Sequence, residues 1–351
     1  VDFTLTPEQI LFGEVVAQVL DDHCNGAALR RLMASGQARD PSRWGALSDT
    51  GAAGVLVAED LGGLGLAEID FLGVAQACGH AGLPEPLVEH AGLATPLLAR
   101  AGGPADLLDQ ALSGQASLAI GHPINPFVAD ADTAAALLLE HEGEVHLVRA
   151  DQAQLIRQDS VDPFRRLFRV GWTPSADTRL LVAAEGASAW DQALDRGALF
   201  AAAQMLGLAQ KCVDLSVAYA KERQQFGKPI GTNQAIKHLL ANVQVRIEFA
   251  RPVLQAAAAH AGRGDLHAKA RISHAKLAAD AACDLAARTA VQIHGAMGFS
   301  WEVDVHFFLK RGLALSHAWG GPDFHRARVT RRMLSAPLGP DQTFAQGAAH
   351  G

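Results

Sequence analysis

The residues best suited to chemistry stand together in one stretch, Tyr219-Ala220-Lys221-Glu222-Arg223-Gln224-Gln225-Phe226-Gly227-Lys228-Pro229-Ile230. It sets a guanidinium, two amides and an aromatic ring side by side. The planar fork of arginine pairs two phosphate oxygens at once, and amides and a ring suit a flat polar body attached to them. That mixture fits a ligand carrying a diphosphate. The other reading is an exposed helix end with an ordinary cap. Leu206, Ala209, Val213 and Val217 precede the stretch on one helical face, Gly227 and Pro229 break that helix, and a second helix is predicted to start near Gln234.

Other candidates carry less. The loop Glu59-Asp60-Leu61-Gly62-Gly63-Leu64-Gly65-Leu66 has glycines dense enough to cradle a phosphate, but no strand clearly precedes it and no Gly-Lys-Ser/Thr follows. It reads as a tight loop. Cys24, Cys78, Cys212 and Cys283 stand far apart, without a Cys-x-x-Cys pair, and read as small core residues. The 15 histidines are scattered with no His-Glu-x-x-His pair, so a metal site is not expected. Net charge is −7 and no basic run occurs, which argues against a nucleic-acid partner. Arg326, Arg328, Arg331 and Arg332 form a dense basic cluster that reads as a solvated helix face. The N-terminal residues do not resemble a signal peptide and no apolar run reaches membrane-spanning length, so a soluble cytoplasmic protein is expected.

These residues need a scaffold, and the chain supplies it in three parts. With 351 residues, 49% hydrophobic and 19% charged, it is long and apolar enough for two or three globular units. Residues 1–115 read as helical. Thr6-Pro7-Glu8-Gln9 has the cap, first-turn proline and capping-box glutamine of a helix start. Further helices are expected over 67–80 and 86–101. Residues 116–187 form a small β domain: 134–139 and 145–148 make a hairpin around Glu140-His141-Glu142-Gly143-Glu144, with further strands over 167–170 and 180–182. Residues 188–337 return to helix, with long apolar-periodic segments over 234–261 and 268–293, and give a bundle of about four antiparallel helices. Residues 338–351 read as a flexible tail.

This order of a helical domain, a reduced β domain and a C-terminal four-helix bundle, mainly α overall, resembles the acyl-CoA dehydrogenase family, and the motifs make the resemblance specific. Tyr219 to Ile230, followed by Gln234, is similar to the family's Arg-x-x-Phe-Gly segment. Gln292-Ile293-His294-Gly295-Ala296-Met297-Gly298-Phe299 is similar to its Gln-x-x-Gly-Gly segment, with Ala296 in place of the second glycine. Glu59 to Leu66 resembles the family's Pro-Glu-Glu-Tyr-Gly-Gly-Leu-Gly loop, which is structural. The resemblance implies that both motif segments reach across a subunit interface to the ADP half of an FAD held mainly by the neighbour. On that basis Arg223 pairs the pyrophosphate, Gln225 and Phe226 line the adenosine path, and Ile230 and Gln234 complete that wall. Gln292, Ile293 and Gly295 lie against the ribityl–pyrophosphate part.

The departures are as informative. The family's base is the glutamate of a Tyr-Glu-Gly triplet, and here the triplet is Ala318-Trp319-Gly320. The alternative base position is Gly197, and the neighbouring arginine position is Ala198. An indole cannot accept the α proton. The Thr-Glu-Pro-x-x-Gly-Ser-Asp stretch that cradles the flavin ring is replaced by residues 118–126, no Trp-Ile-Thr stretch is found, and Gly321-Pro322-Asp323 replaces Thr-Ser-Glu. No catalytic residue is therefore expected. The chain resembles the short non-catalytic subunit of the α2β2 acyl-CoA dehydrogenases of actinobacterial steroid side-chain degradation. That resemblance implies a longer partner carrying the glutamate and the acyl-CoA site, with a separate electron acceptor. Two alternatives stand beside it: a self-sufficient dehydrogenase using Asp304 or Asp323 as base, and a scaffold that kept the fold without flavin.

Overall fold

The computed structural model describes residues 4–335. The expected tail over 338–351 lies outside the described residues.

The N-terminal part is helical: α1 (Pro7–His23), α2 (Gly26–Ser35), α3 (Pro41–Ser48), α4 (Leu72–Ala81), α5 (Leu87–Glu89), a π-helical turn (His90–Ala94), α6 (Thr95–Arg100) and α7 (Ala105–Leu112). The Thr6 hydroxyl accepts from the Gln9 amide N–H and the Gln9 side chain accepts from Thr6 N–H, so the capping box forms as its sequence predicts. The helix expected over 67–80 begins only at Leu72. The Asp70 carboxylate accepts from Ala67 N–H and from the Gln9 side chain, which holds 67–70 in a turn. The helix expected over 86–101 is interrupted by the π turn at His90.

The middle part has seven strands: β1 (Leu118–Gly121), β2 (Val128–Ala129), β3 (Ala136–His141), β4 (Glu144–Arg149), β5 (Gln154–Gln158), β6 (Leu167–Gly171) and β7 (Arg179–Leu181). They form two sheets, ordered β1-β3-β4-β7 and β2-β6-β5, with β1 parallel to β3 and every other pairing antiparallel. The first sheet is covered on both faces. Leu118, Ile120, Leu138 and Val145 join the main helical core, while Ala119, Leu137, Leu139 and Val148 pack towards Val128 and Phe168 of the second sheet. Strands buried on both faces read as continuous apolar runs without alternation. The hairpin β3–β4 is visible in the sequence, but β1 is not, because its run is short and shows no alternation.

The C-terminal part begins with α8 (Ala183–Glu222), an unbroken helix of 40 residues and hence about 60 Å long. A small hairpin, β8 (Gln224–Gln225) and β9 (Lys228–Pro229), leads to α9 (Gln234–Ala258), α10 (Leu266–His294), α11 (Val305–His317) and α12 (Pro322–Ser335). The four cysteines are all free and buried. The arginine cluster on α12 is not a solvated face throughout. Arg328 is buried in an ion pair with Asp195 of α8, and Arg332 is buried with its Nε donating to His267 Nδ1. A basic helix can present alternate residues inward when the facing helix offers an acid or an imidazole.

His90 fastens the helical part to the β part. Its Nε2–H donates to Ala111 O (3.0 Å) and its Nδ1 accepts from Leu118 N–H (3.1 Å), so only the neutral ring with the proton on Nε2 serves both. Burial pushes its pKa down from 6.5 to about 4. The unfolded chain takes up a proton that the folded chain refuses. This stability is complete above pH 6.5 and is lost as pH falls towards 4, with a magnitude of about 3 kcal/mol. Denaturant midpoints measured from pH 7.5 to 4.5 should fall for the wild-type chain and fall less steeply for His90→Gln, which can keep one donor and one acceptor without titrating.

Candidate functional site

The stretch that opens the sequence reading is a projecting hairpin. Gln225 pairs with Lys228 across a two-residue loop, and Phe226 (φ 51°) and Gly227 (φ 76°) both take positive φ, the geometry of a type I′ turn. Phenylalanine is an uncommon residue in that region of backbone space. Its ring is 99% exposed. Arg223, Gln224 and Gln225 are exposed too, and among the described residues their side chains have no hydrogen-bond or ion-pair partner. A strained aromatic tip beside an unpaired guanidinium does not pack this chain. It projects from the end of the bundle.

The second motif ends α10 against the base of that hairpin. Tyr219, one turn before Arg223, stacks on His294 with ring centroids 4.2 Å apart, and its hydroxyl donates to His294 O (3.5 Å). Gly295 caps α10 at φ 59°, ψ −136°, a conformation open essentially only to glycine, and open space faces the position a Cβ would take. Gln292 and Gln234 are exposed and Ile230 is half-buried. The structure thus brings Arg223, Gln225, Phe226, Ile230, Gln234, Gln292 and Gly295 to one end of the bundle. The Ile293 side chain between them is 5% exposed and packs inward. One step along a helix turns the side chain about 100°, so neighbours of an outward Gln292 point inward.

The two positions that the resemblance aligns with the family's base meet on the first half of α8. Trp319 is 4% exposed, and its indole lies so close to Gly197 that a Cβ there would overlap the ring. The loop holding it is fixed by three bonds. Trp319 N–H donates to Asn125 Oδ1 (2.9 Å), His325 Nε2–H donates to Trp319 O (3.1 Å), and the Ser273 hydroxyl is 3.0 Å from His325 Nδ1. Burial, together with Lys276 and Arg328, pushes the His325 pKa down to about 4 and keeps the ring neutral. Trp319 itself sits at φ 58°. Neither acid considered as a replacement base takes its place: Asp304 is engaged by Arg30 (2.6 Å), and Asp323 is fully exposed beside Arg326 (2.9 Å). His325 was not visible as a functional residue in sequence, because nothing in a lone histidine signals the loop it holds.

Helix α8 sets the distance between these features. Gly197 and Arg223 lie on one continuous helix, about 40 Å apart along its axis. That exceeds the reach of a single dinucleotide from a hydride-accepting ring to its diphosphate.

The Acyl-CoA dehydrogenase, C-terminal domain family matches residues 184–334. Across most of its length the chain is 35% identical to the acyl-CoA dehydrogenase IpdE2 of Mycobacterium tuberculosis, over 88% of this chain and 92% of that one. The chain belongs to the acyl-CoA dehydrogenase family. Its fold matches a chain of the ChsE4-ChsE5 complex from Mycobacterium tuberculosis with a TM-score of 0.81 at 24% identity, covering 96% of this chain and 100% of that one. It matches a chain of the Tcur3481-Tcur3483 steroid ACAD with a TM-score of 0.82 at 24% identity, covering 95% and 99%. Members of this family are oxidoreductases that act on CH–CH bonds with FAD.

The residues present fit the ADP half of that cofactor. Arg223 and the two glutamines are unpaired and outward, and Gly295 leaves its Cβ space open. The Trp319 indole lies directly against Gly197. Gly197→Ala should therefore drive a methyl into a fixed, buried ring and destabilise the chain by about 1–3 kcal/mol, read from its denaturant midpoint. Trp319→Leu in the same background should recover part of the loss. An unchanged midpoint for Gly197→Ala would show that the indole is not confined there.

Proposed function

We propose that this chain is the non-catalytic subunit of a heteromeric, FAD-dependent acyl-CoA dehydrogenase. The observation that carries the reading is the separation along α8: an outward diphosphate-type hairpin at one end, and an indole where a base would stand in its first half. When bound, FAD supplies the hydride acceptor for α,β-desaturation of an acyl-CoA thioester. In this reading Arg223 pairs the pyrophosphate with charge-assisted bonds, Gln225 and Phe226 border the adenosine, and Ile230 and Gln234 continue that wall. Gln292 and Gly295 border the ribityl–pyrophosphate part, with Ile293 packed behind them. The flavin-ring pocket, the acyl-CoA site and the catalytic glutamate belong to the partner, as an α2β2 assembly would arrange them.

Two features of the relatives support this. The ChsE4-ChsE5 and Tcur3481-Tcur3483 structures each name two components, and the latter is called a steroid ACAD. A steroid side-chain CoA ester is accordingly the substrate class proposed for the complex. The flavin-free scaffold leaves the exposed hairpin without a use, and the self-sufficient enzyme would need Asp304, which Arg30 holds, or Asp323, which stands in solvent, as its base.

The test is to purify the chain alone and co-expressed with a family homologue that carries the glutamate. The expected outcome is a colourless chain that does not oxidise acyl-CoA with an artificial electron acceptor, and a yellow, active complex. A chain that alone holds one FAD and oxidises acyl-CoA would overturn the proposal.

A further inference from the structure

Beneath the Trp319 loop a cleft opens where the three parts of the chain meet. Its walls come from Arg39 and the 83–89 segment, from the β part around Ile120–Asp130 and Phe164–Arg165, and from α8 and α11. Six charged side chains line it: Arg39, Glu85, Glu89, Asp130, Arg165 and Arg311. Four of them are answered by carboxylates or guanidinia. Arg39 is bonded to Asp130, Glu85 takes Arg43 Nε at 2.7 Å, and Arg311 is bonded to Asp162 while its Nη1 donates to Leu83 O at 2.8 Å.

Two charges are left over. Among the described residues the side chains of Arg165 and Glu89 have no hydrogen-bond or ion-pair partner, with each other or with anything else. Neither is fully exposed to water. Burial holds the Arg165 guanidinium below its usual range, and Glu89 pulls the other way. Gln204 of α8 also lines the cleft. It is 7% exposed and its carboxamide has no partner. Asn125 gives its Oδ1 to Trp319 N–H and keeps its amino group for the cleft. Natural interiors pair almost all such groups, and partly buried, unpaired charges of both signs in one cleft are costly unless something bridges them.

We propose that this cleft binds a small carboxylic acid bearing a hydrogen-bond donor on the adjacent carbon, an α-hydroxy or α-amino acid. Its carboxylate pairs with the Arg165 fork and its donor with Glu89. The Gln204 carboxamide and the Asn125 amino group serve the remaining oxygens. A carboxylate alone leaves Glu89 unanswered, and a cation alone leaves Arg165 unanswered. An aliphatic acyl chain answers neither, so the cleft, although it lies at the base position, is lined for a small polar acid and not for an acyl thioester. The site lies at the Trp319 end of the fold, away from the Arg223 hairpin, and stands whether or not the chain works with a partner.

Titration of the full chain with glycolate, glycine, acetate and ethylamine tests this, by calorimetry and by tryptophan fluorescence, since Trp319 forms part of the wall. Glycolate and glycine should bind saturably, at least tenfold more tightly than acetate, and ethylamine should not bind. Arg165→Gln should abolish binding of both acids, and Glu89→Leu should remove the preference over acetate. Arg169→Gln, on the exposed side of β6, should change neither. Absence of saturable binding by both acids would overturn the proposal. So would binding unaffected by Arg165→Gln, or displacement of glycolate by butyryl-CoA. Should Arg165→Gln fail to fold, Glu89→Leu decides, and an unchanged preference over acetate refutes the site.

Discussion

The close crossing of α4 on α8 is the constraint from which the rest of the arrangement follows. Gly79 of α4 faces the backbone of Gln204, and Gly207 of α8 faces the carbonyl of Gln76, so each helix presents bare backbone to the other. A side chain at either position would force the helices apart. This contact seats the middle of α8 in the N-terminal helical part, and the same helix packs with α9 and α10. One helix therefore ties together the Gly197–Trp319 contact in its first half and the hairpin at its end, and it keeps them apart. If the hairpin holds a diphosphate, as proposed, a chain built on such a rod would offer it to another chain's ring pocket and not to its own.

Much of this was legible in residue order. The capping box at Thr6, the β3–β4 hairpin, the long helical periods and the helix-breaking Gly227-Lys228-Pro229 each act through local chemistry, so sequence shows them directly. The misreadings share a different cause. Arg328 and Arg332 look solvated in sequence because Asp195 and His267, which receive them, lie far away in the chain. The late start of α4 depends on Asp70 and Gln9 meeting across the fold. Long-range partners decide these positions, and no local period encodes them.

The site divides in the same way. Residue types marked Arg223, Gln225 and Phe226, and the absence of a glutamate marked Trp319. The structure adds the positive φ at Phe226, the Tyr219–His294 stack that joins the two motif segments, and the contact of Trp319 with Gly197. That contact changes the meaning of the missing base. The position is filled, its loop is held by Asn125 and His325, and a carboxylate could not be restored there without removing an indole.

The central claim is that Arg223 holds the diphosphate of a flavin whose chemistry belongs to a partner. The most direct measurement is the FAD content and FAD dissociation constant of the complex carrying Arg223→Ala. Loss of a charge-assisted fork to a pyrophosphate, about 1.5–3 kcal/mol, predicts FAD bound roughly ten- to a hundredfold more weakly, in a complex that still assembles. FAD retained at wild-type affinity in an assembled Arg223→Ala complex would contradict the account.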